Sequence, residues 1–251
     1  MSGHSKWATI KRKKGSLDAK RGALFTKIIR EITVAAKNGG DDINANPRLR
    51  TAIAKAKANN MPNDNIERAI KKGTGTLEGV IYEEIQYEGY GPGGVAIMVS
   101  CLTDNRNRTT AEVRAAFTKH GGNLGETGSV GYLFNRKGYM LIESGQTSED
   151  AVMELLMDNN VEDIKSEDGN IEVVTPPDGY NEVHDALVNK GFKLIEDEIT
   201  FIPQTTVTLD EKKGSQCLKL VEILEDLDDV QNVYSNYDIP DEVMMKISEA
   251  Q

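Results

Sequence analysis

The apolar residues of this chain first change their spacing at a glycine-marked stretch between Gly73 and Gly79. Before it they recur every three or four residues, as Leu24, Phe25, Ile28, Ile29, Ile32, Ala35 and Ala36 and then as Leu49, Ala52, Ile53 and Ala56. That period specifies helices with one buried stripe and argues against strands in the first quarter. After it, short apolar runs at residues 81–87 and 95–102 give way to helical and extended stretches in turn, the signature of an α+β chain. At 251 residues the chain has room for about two domains.

Local signals set the element boundaries. A helix starting near Ser16 or Asp18 should stop at Gly39-Gly40. A second begins where Asn46 caps and Pro47 takes the first helical position. Pro62 forces a break, and a third helix follows over about residues 64–72, with Asp64 and Glu67 at the spacing of a capping box. Beyond the glycines, Gly89-Tyr90-Gly91-Pro92-Gly93-Gly94 reads as a turn between two strands. Asp104 or Asn105 can cap a helix carrying Val113, Ala116 and Phe117, which stops at Gly121-Gly122, and a further strand ends at Phe134. From Gly138 the pattern is strand (139–143), helix (148–159), strand, strand (171–174), helix (180–190), strand (192–199), the βαββαβ order of a ferredoxin-like sandwich. A strand (205–209), a helix (211–227) and a strand (230–234) remain to complete the sheet begun at residue 81. The expectation is an α+β protein: an N-terminal three-helix bundle followed by two ferredoxin-like α/β domains, the third domain inserted in the second. Its parts are an arm and bundle over 1–78, an α/β domain over 79–135 plus 204–240, an inserted domain over 136–203 and a tail over 241–251.

Charge divides along the same line. The total is −10, yet residues through Lys72 hold 17 basic against 6 acidic side chains and the remainder holds 13 against 34. A basic quarter joined to an acidic remainder points to a polyanion as partner, and phosphate recognition needs only many Lys and Arg side chains on one surface. Lys6, Lys11, Arg12, Lys13, Lys14, Lys20 and Arg21 stand with one acid among them, Asp18. Trp7 within this arm is either an anchor against the bundle or a platform for an unpaired base. On the first helix Lys20, Lys27, Arg30 and Lys37 share the face opposite the apolar stripe. On the second, Arg50 and Lys57 flank one edge of the apolar face and Arg48 and Lys55 the other. Arg106 and Arg108, at a helix start, form either a second phosphate site or a plain capped, solvated turn. Glu222, Glu225, Asp226, Asp228 and Asp229 read as a solvated acidic face.

Several classes of function lack their motifs. The Gly89–Gly94 glycines lead into a strand and not a helix, so they do not make a dinucleotide loop, and no Walker sequence occurs. His4, His120 and His184 have no ligand partner at metal spacing, so no metal and no cofactor is expected. Cys101 and Cys217, each in an apolar stretch, read as core thiols in a reducing compartment. No run spans a membrane, and the start lacks the apolar segment of a signal peptide, which makes the cytoplasm the expected place. The bases of the arm are clustered over 11–14 and not spread along an amphipathic helix, which disfavours a mitochondrial transit segment. A non-enzymatic protein is expected.

Four segments are similar to the YebC/PmpR family: GHSKWATIKRKK (3–14), NPRLRTAIAKAKANNMPNDNIERAIKKGTG (46–75), YEEIQYEGYGPGGVA (82–96) and LTDNRNRTTAEVRAAFTKHGGNLGETGSVGYLF (102–134). The likeness loosens afterwards and returns at DVQNVYSN (229–236). The resemblance implies a bacterial cytoplasmic protein of three domains without a catalytic centre. Members are described as DNA-binding transcriptional regulators, and related proteins, mitochondrial translational activators among them, as ribosome-associated factors that assist synthesis of difficult sequences such as proline runs. Expected partners are therefore nucleic acid, either DNA or ribosomal RNA, and under the alternative the ribosome. Ala23-Leu24, Asp42-Ile43 and Ser100-Cys101 depart from the family's usual residues, and the first pair removes one lysine from the basic helix.

Overall fold

The structure, a computed structural model, describes residues 17–167 and 169–249, so residues 1–15 of the arm lie outside it. The described chain falls into two compact units, Tyr132–Thr206 and the remainder on either side of it.

Helices α1 (Leu17–Gly39), α2 (Pro47–Ala58) and α3 (Asn63–Gly73) follow the helical periodicity. Ile28, Ile32, Ala35 and Ala36 of α1 bury against Leu49, Ala52, Ile53, Ala56, Met61, Ile66 and Ala69 in one core. Asn46 joins two helix ends. Its side-chain oxygen accepts from Leu49 N–H at 3.1 Å, while its amide donates to Ala35 O and Gly40 O at 2.8 Å each. One buried side chain thus satisfies the end of α1 and the start of α2. The capping box expected at Asp64 and Glu67 does not form. Pro62 occupies the cap, no side chain bonds there, and the helix starts early enough to place Asp64 inside its first turn. Gly73 is a packing contact: a Cβ there would lie 2.3 Å from Thr33 O, so its absence lets α3 approach α1.

Strands β1 (Glu83–Tyr90) and β2 (Ala96–Thr103) form an antiparallel hairpin with Tyr87 opposite Val99. Gly93 and Gly94 sit at φ +83° and +80° in the turn, a conformation that L side chains rarely adopt. Helix α4 (Arg106–Lys119) and strand β3 (Asn123–Leu124) follow. Phe134 does not end a strand of this sheet. It opens β4 (Phe134–Ile142), the first strand of the other unit.

That unit continues with α5 (Glu149–Leu155), β5 (Asp163–Glu167), β6 (Asn170–Thr175), α6 (Tyr180–Asn189) and β7 (Leu194–Pro203). Its antiparallel sheet has the order β5-β6-β4-β7, the order of a ferredoxin-like sandwich, and Met140, Ile142, Ile171 and Val173 pack beneath Val152, Val183 and Leu187 of the helices and Leu156 at the end of α5.

The chain then returns with β8 (Val207–Thr208), α7 (Glu211–Asp226), β9 (Val230–Ser235), β10 (Tyr237–Asp238) and α8 (Asp241–Glu249). Strand β9 pairs with β2 and completes the order β3-β1-β2-β9, so this sheet is built from segments on both sides of the other unit. Its strand order differs from that of the inserted unit: the tight turn makes β1 and β2 neighbours, whereas the helix between β4 and β5 leaves room for β6 to pair between them. Strand β8 does not join this sheet: it pairs in parallel with β10. The expected tail holds a helix, α8, whose Met244 and Ile247 belong to the core with Cys217, Leu218 and Val221 of α7.

Candidate nucleic-acid interface

Lys6, Trp7, Lys11, Arg12, Lys13 and Lys14 lie outside the described residues, and for Lys20 and Arg21 the structure describes the helical backbone alone. Lys37, Arg50, Lys57 and Arg106 are exposed and form no ion pair with a described residue. Lys55, Arg68, Lys71 and Lys72 are exposed on the bundle as well. These side chains are presented to solvent by helices whose opposite faces are buried, as amphipathic periodicity requires.

The middle of the basic stripe on α1 is not open surface. Lys27 Nζ donates to Glu225 O at 2.6 Å, and Arg30 donates to Asp228 O and, at 2.8 Å, to the Asp229 carboxylate. Glu225 O is among the last carbonyls of α7, which have no partner inside their own helix and carry the negative end of its dipole. A cationic face of α1 therefore meets the anionic end of α7. The Arg30 guanidinium also lies 5.6 Å from the centroid of the Tyr82 ring.

Asp229, grouped by its sequence neighbours with a solvated acidic face, has a side chain only 1 % exposed. It accepts from Thr103 Oγ1 at 3.0 Å, Thr109 Oγ1 at 2.7 Å, Arg108 at 2.7 Å and Arg30 at 2.8 Å. Burial works against its charge, but the hydrogen bonds from Thr109, Arg108 and Thr103 and the charge of Arg30 outweigh it and hold the carboxyl below its ordinary value. Arg108 bonds Asp104 at 2.8 Å too, and both carboxylates raise its own pKa. Asn105 caps α4 by accepting from Arg108 N–H. The pair, readable as a phosphate site or as a capped, solvated turn, is thus divided: both side chains are exposed, but Arg108 is held by two carboxylates while Arg106 forms no ion pair with a described residue. No feature of charge pattern or period separates Asp229 from Asp228 beside it. Only its place in the DVQNVYSN segment marked it.

Arg48 makes a second tie between bundle and sheet, bonding Glu31 at 2.6 Å and Glu84 at 2.6 Å. A second buried carboxylate, after Asp229, is satisfied locally. Glu88, 4 % exposed, receives the N–H groups of Gly128, Val130 and Gly131 at 2.9, 2.7 and 2.6 Å and so folds the loop that follows β3 around itself. Cys101 and Cys217 are buried free thiols. Among the described residues no three His, Cys, Asp or Glu side chains are grouped to hold a metal ion, and no described helix is long and apolar enough to cross a membrane.

Comparison with known proteins agrees with this architecture. A family profile described as the TACO1/YebC protein N-terminal domain matches residues 5–76, and one described as the TACO1/YebC second and third domain matches residues 82–237. A probable transcriptional regulatory protein of Syntrophus aciditrophicus is 57% identical over 249 residues, 99% of this chain and 100% of that one. One from Trichlorobacter lovleyi is 59% identical over 247 residues, 98% of this chain and 100% of its own. A conserved hypothetical protein of Aquifex aeolicus, known from its crystal structure, superimposes with a TM-score of 0.84 at 50% identity, covering 95% of this chain and 99% of that one. With its N-terminal domain matched over residues 5–76 and its second and third domains over 82–237, the chain belongs to the TACO1/YebC family.

Proposed function

We propose that this chain is a non-enzymatic, cytoplasmic regulator of transcription that grips DNA through phosphate contacts made by its N-terminal quarter. The observation that carries the proposal is the concentration of 17 cations against 6 acids before residue 73, with Lys37, Arg50 and Lys57 exposed on the folded bundle. The names of its relatives support a regulatory role. The arm, with Lys6, Lys11, Arg12, Lys13 and Lys14, supplies the densest charge, and Trp7 adds an aromatic plane that could stack on a base. The contacts are to the backbone, so binding tolerates many sequences.

The test is the salt dependence of binding by the full chain to duplex DNA and to ribosomal RNA fragments. Six to eight engaged phosphates give a slope of log affinity against log salt of roughly −5 to −7 on duplex DNA. Replacing Lys11, Arg12, Lys13 and Lys14 together by Gln weakens binding across all sequences. A slope near zero, or affinity indifferent to the fourfold change, refutes the proposal. Preference for the RNA fragments together with cosedimentation with ribosomes transfers the same cations to a role in translation.

A further inference from the structure

Two of the cations expected to face phosphate, Arg30 and Arg108, converge on one carboxylate inside the protein. That carboxylate belongs to a rigid setting. Asp229 lies at the turn between α7 and β9, its backbone oxygen accepts from Leu102 N–H at 2.8 Å, and its two carboxylate oxygens take four side-chain donors from α1, β2 and α4. Arg30 comes from the bundle, while Arg108 and Thr109 come from the first turns of α4, two and three residues after the exposed Arg106. We infer that Asp229 is a positioning residue for the nucleic-acid surface: by holding Arg30 and Arg108 at once it fixes the bundle and the start of α4 in one register, so that the bundle cations and Arg106 engage a single polyanion jointly. The inference rests on the phosphate-binding reading above and adds a second body to it.

Joint engagement depends on that register. Once one cationic body is bound, a second meets the same chain at an effective concentration set by how firmly the two are connected, and loosening the connection removes this gain without removing any cation. The opposing possibility is that Arg30 and Arg108 are themselves phosphate ligands that Asp229 occupies until the polyanion arrives. The two assign opposite signs to one substitution.

Asp229→Asn, made in the full chain, keeps the size of the side chain and an acceptor for the threonines while removing the charge that holds both arginines. As a positioning residue its loss weakens binding to duplex DNA several-fold, and Arg106→Gln, which lowers the wild-type salt slope by about 0.9, has no further effect in the Asp229→Asn background. If the arginines are phosphate ligands in waiting, Asp229→Asn tightens binding and steepens the slope by up to about 1.8. Either that result, unchanged affinity, or full additivity with Arg106→Gln overturns the inference while leaving the functional reading intact. A wild-type protein that binds neither DNA nor RNA overturns both. Should Asp229→Asn fail to fold by circular dichroism, Arg30→Gln removes the bundle's tie to Asp229 and leaves Arg108 in place, along with the separate bundle contacts of Lys27 and Arg48. Its effect is then non-additive with Arg106→Gln if Arg30 positions, and additive, overturning the inference, if Arg30 is a ligand.

Discussion

Glu88→Gln should destabilise the unit that contains it, and by an amount that vanishes in acid. The carboxylate is 4 % exposed and receives three backbone N–H groups, two on one oxygen from Val130 and Gly131 and one on the other from Gly128. A glutamine oxygen can keep the first two. Its amide nitrogen then faces Gly128 N–H, so one charged hydrogen bond is lost and a donor is left facing a donor, at about 1.5–3 kcal/mol for the bond and a similar cost for an unsatisfied buried group. Allowing for relaxation of the loop, the net loss is about 2–4 kcal/mol, or a melting temperature lower by roughly 5–15 °C at about 2–4 °C per kcal/mol. Burial works to raise the pKa of Glu88, and the three N–H donors more than offset it, leaving the carboxyl below its ordinary value. Because the folded group titrates below its unfolded counterpart, its contribution is fully present above about pH 4.3 and is lost as pH falls through the folded value. Thermal unfolding of both proteins at neutral pH and at decreasing pH reads this directly. Variants melting within about 1 °C of each other at neutral pH, or a gap that persists undiminished in acid, would refute the account of Glu88.

Other substitutions probe other contacts. Gly73→Ala would set a Cβ 2.3 Å from Thr33 O and 2.8 Å from Ala36 Cβ, and since the first is backbone and cannot yield, a loss of about 1–3 kcal/mol is expected in urea unfolding followed by circular dichroism; wild-type stability would show that α1 and α3 separate freely. His184 bonds Asp197 at 3.3 Å and Asp185 at 3.1 Å, and the bond to Asp197 raises its pKa against an opposing burial effect. Its contribution is therefore present below about pH 6.5 and lost as pH rises through the folded value, and with both partners exposed it amounts to no more than about 1 kcal/mol; an NMR titration midpoint at or below the ordinary histidine value would contradict it. Burial pushes the Cys101 and Cys217 thiols up to about 12, so alkylation should be slow in the native protein and rapid in denaturant, and fast native labelling of either would place it outside the core.

The fold was legible wherever one segment's pattern suffices to specify it. Helical period gave α1 and α2, Asn46-Pro47 gave the start of α2, and the βαββαβ order gave the sheet of residues 134–203. The misses share a cause: they turn on contacts between segments distant in sequence. Residues 205–209 look like a strand, but only two pair, and their partner is β10 and not the main sheet. Residues 241–249 carry the apolar pair Met244 and Ile247 one helical turn apart, a signal too short to separate a docked helix from a tail until α7 provides the surface. At the candidate site the cations are visible in the sequence and their internal partners are not. The charge of Arg30 is visible in the sequence, whereas its attachment to Asp229 spans 199 positions.

Magnitudes indicate which cations can serve a polyanion. One phosphate contact releases about 0.9 of a counterion, which at about 0.15 M salt amounts to roughly 1 kcal/mol. Withdrawing Arg30 from a carboxylate 1 % exposed removes one partner of a buried pair, a change that typically costs about 3–5 kcal/mol. Arg108 remains on Asp229 and brings the cost toward the lower figure, still above what one phosphate returns. Arg30 therefore acts through the geometry it imposes on the bundle. Lys27 differs, since its bond is to a carbonyl at the end of α7, an interaction of about 0.3–1 kcal/mol that a phosphate can match. Lys27→Gln should then lower the salt slope by about 0.9 and add to the effect of Arg106→Gln, while Arg30→Lys, which keeps the charge and loses the geometry, weakens binding and leaves Arg106→Gln without further effect. The reverse pattern would mean that the buried pair opens on binding and that the energetic ranking of the two side chains is wrong.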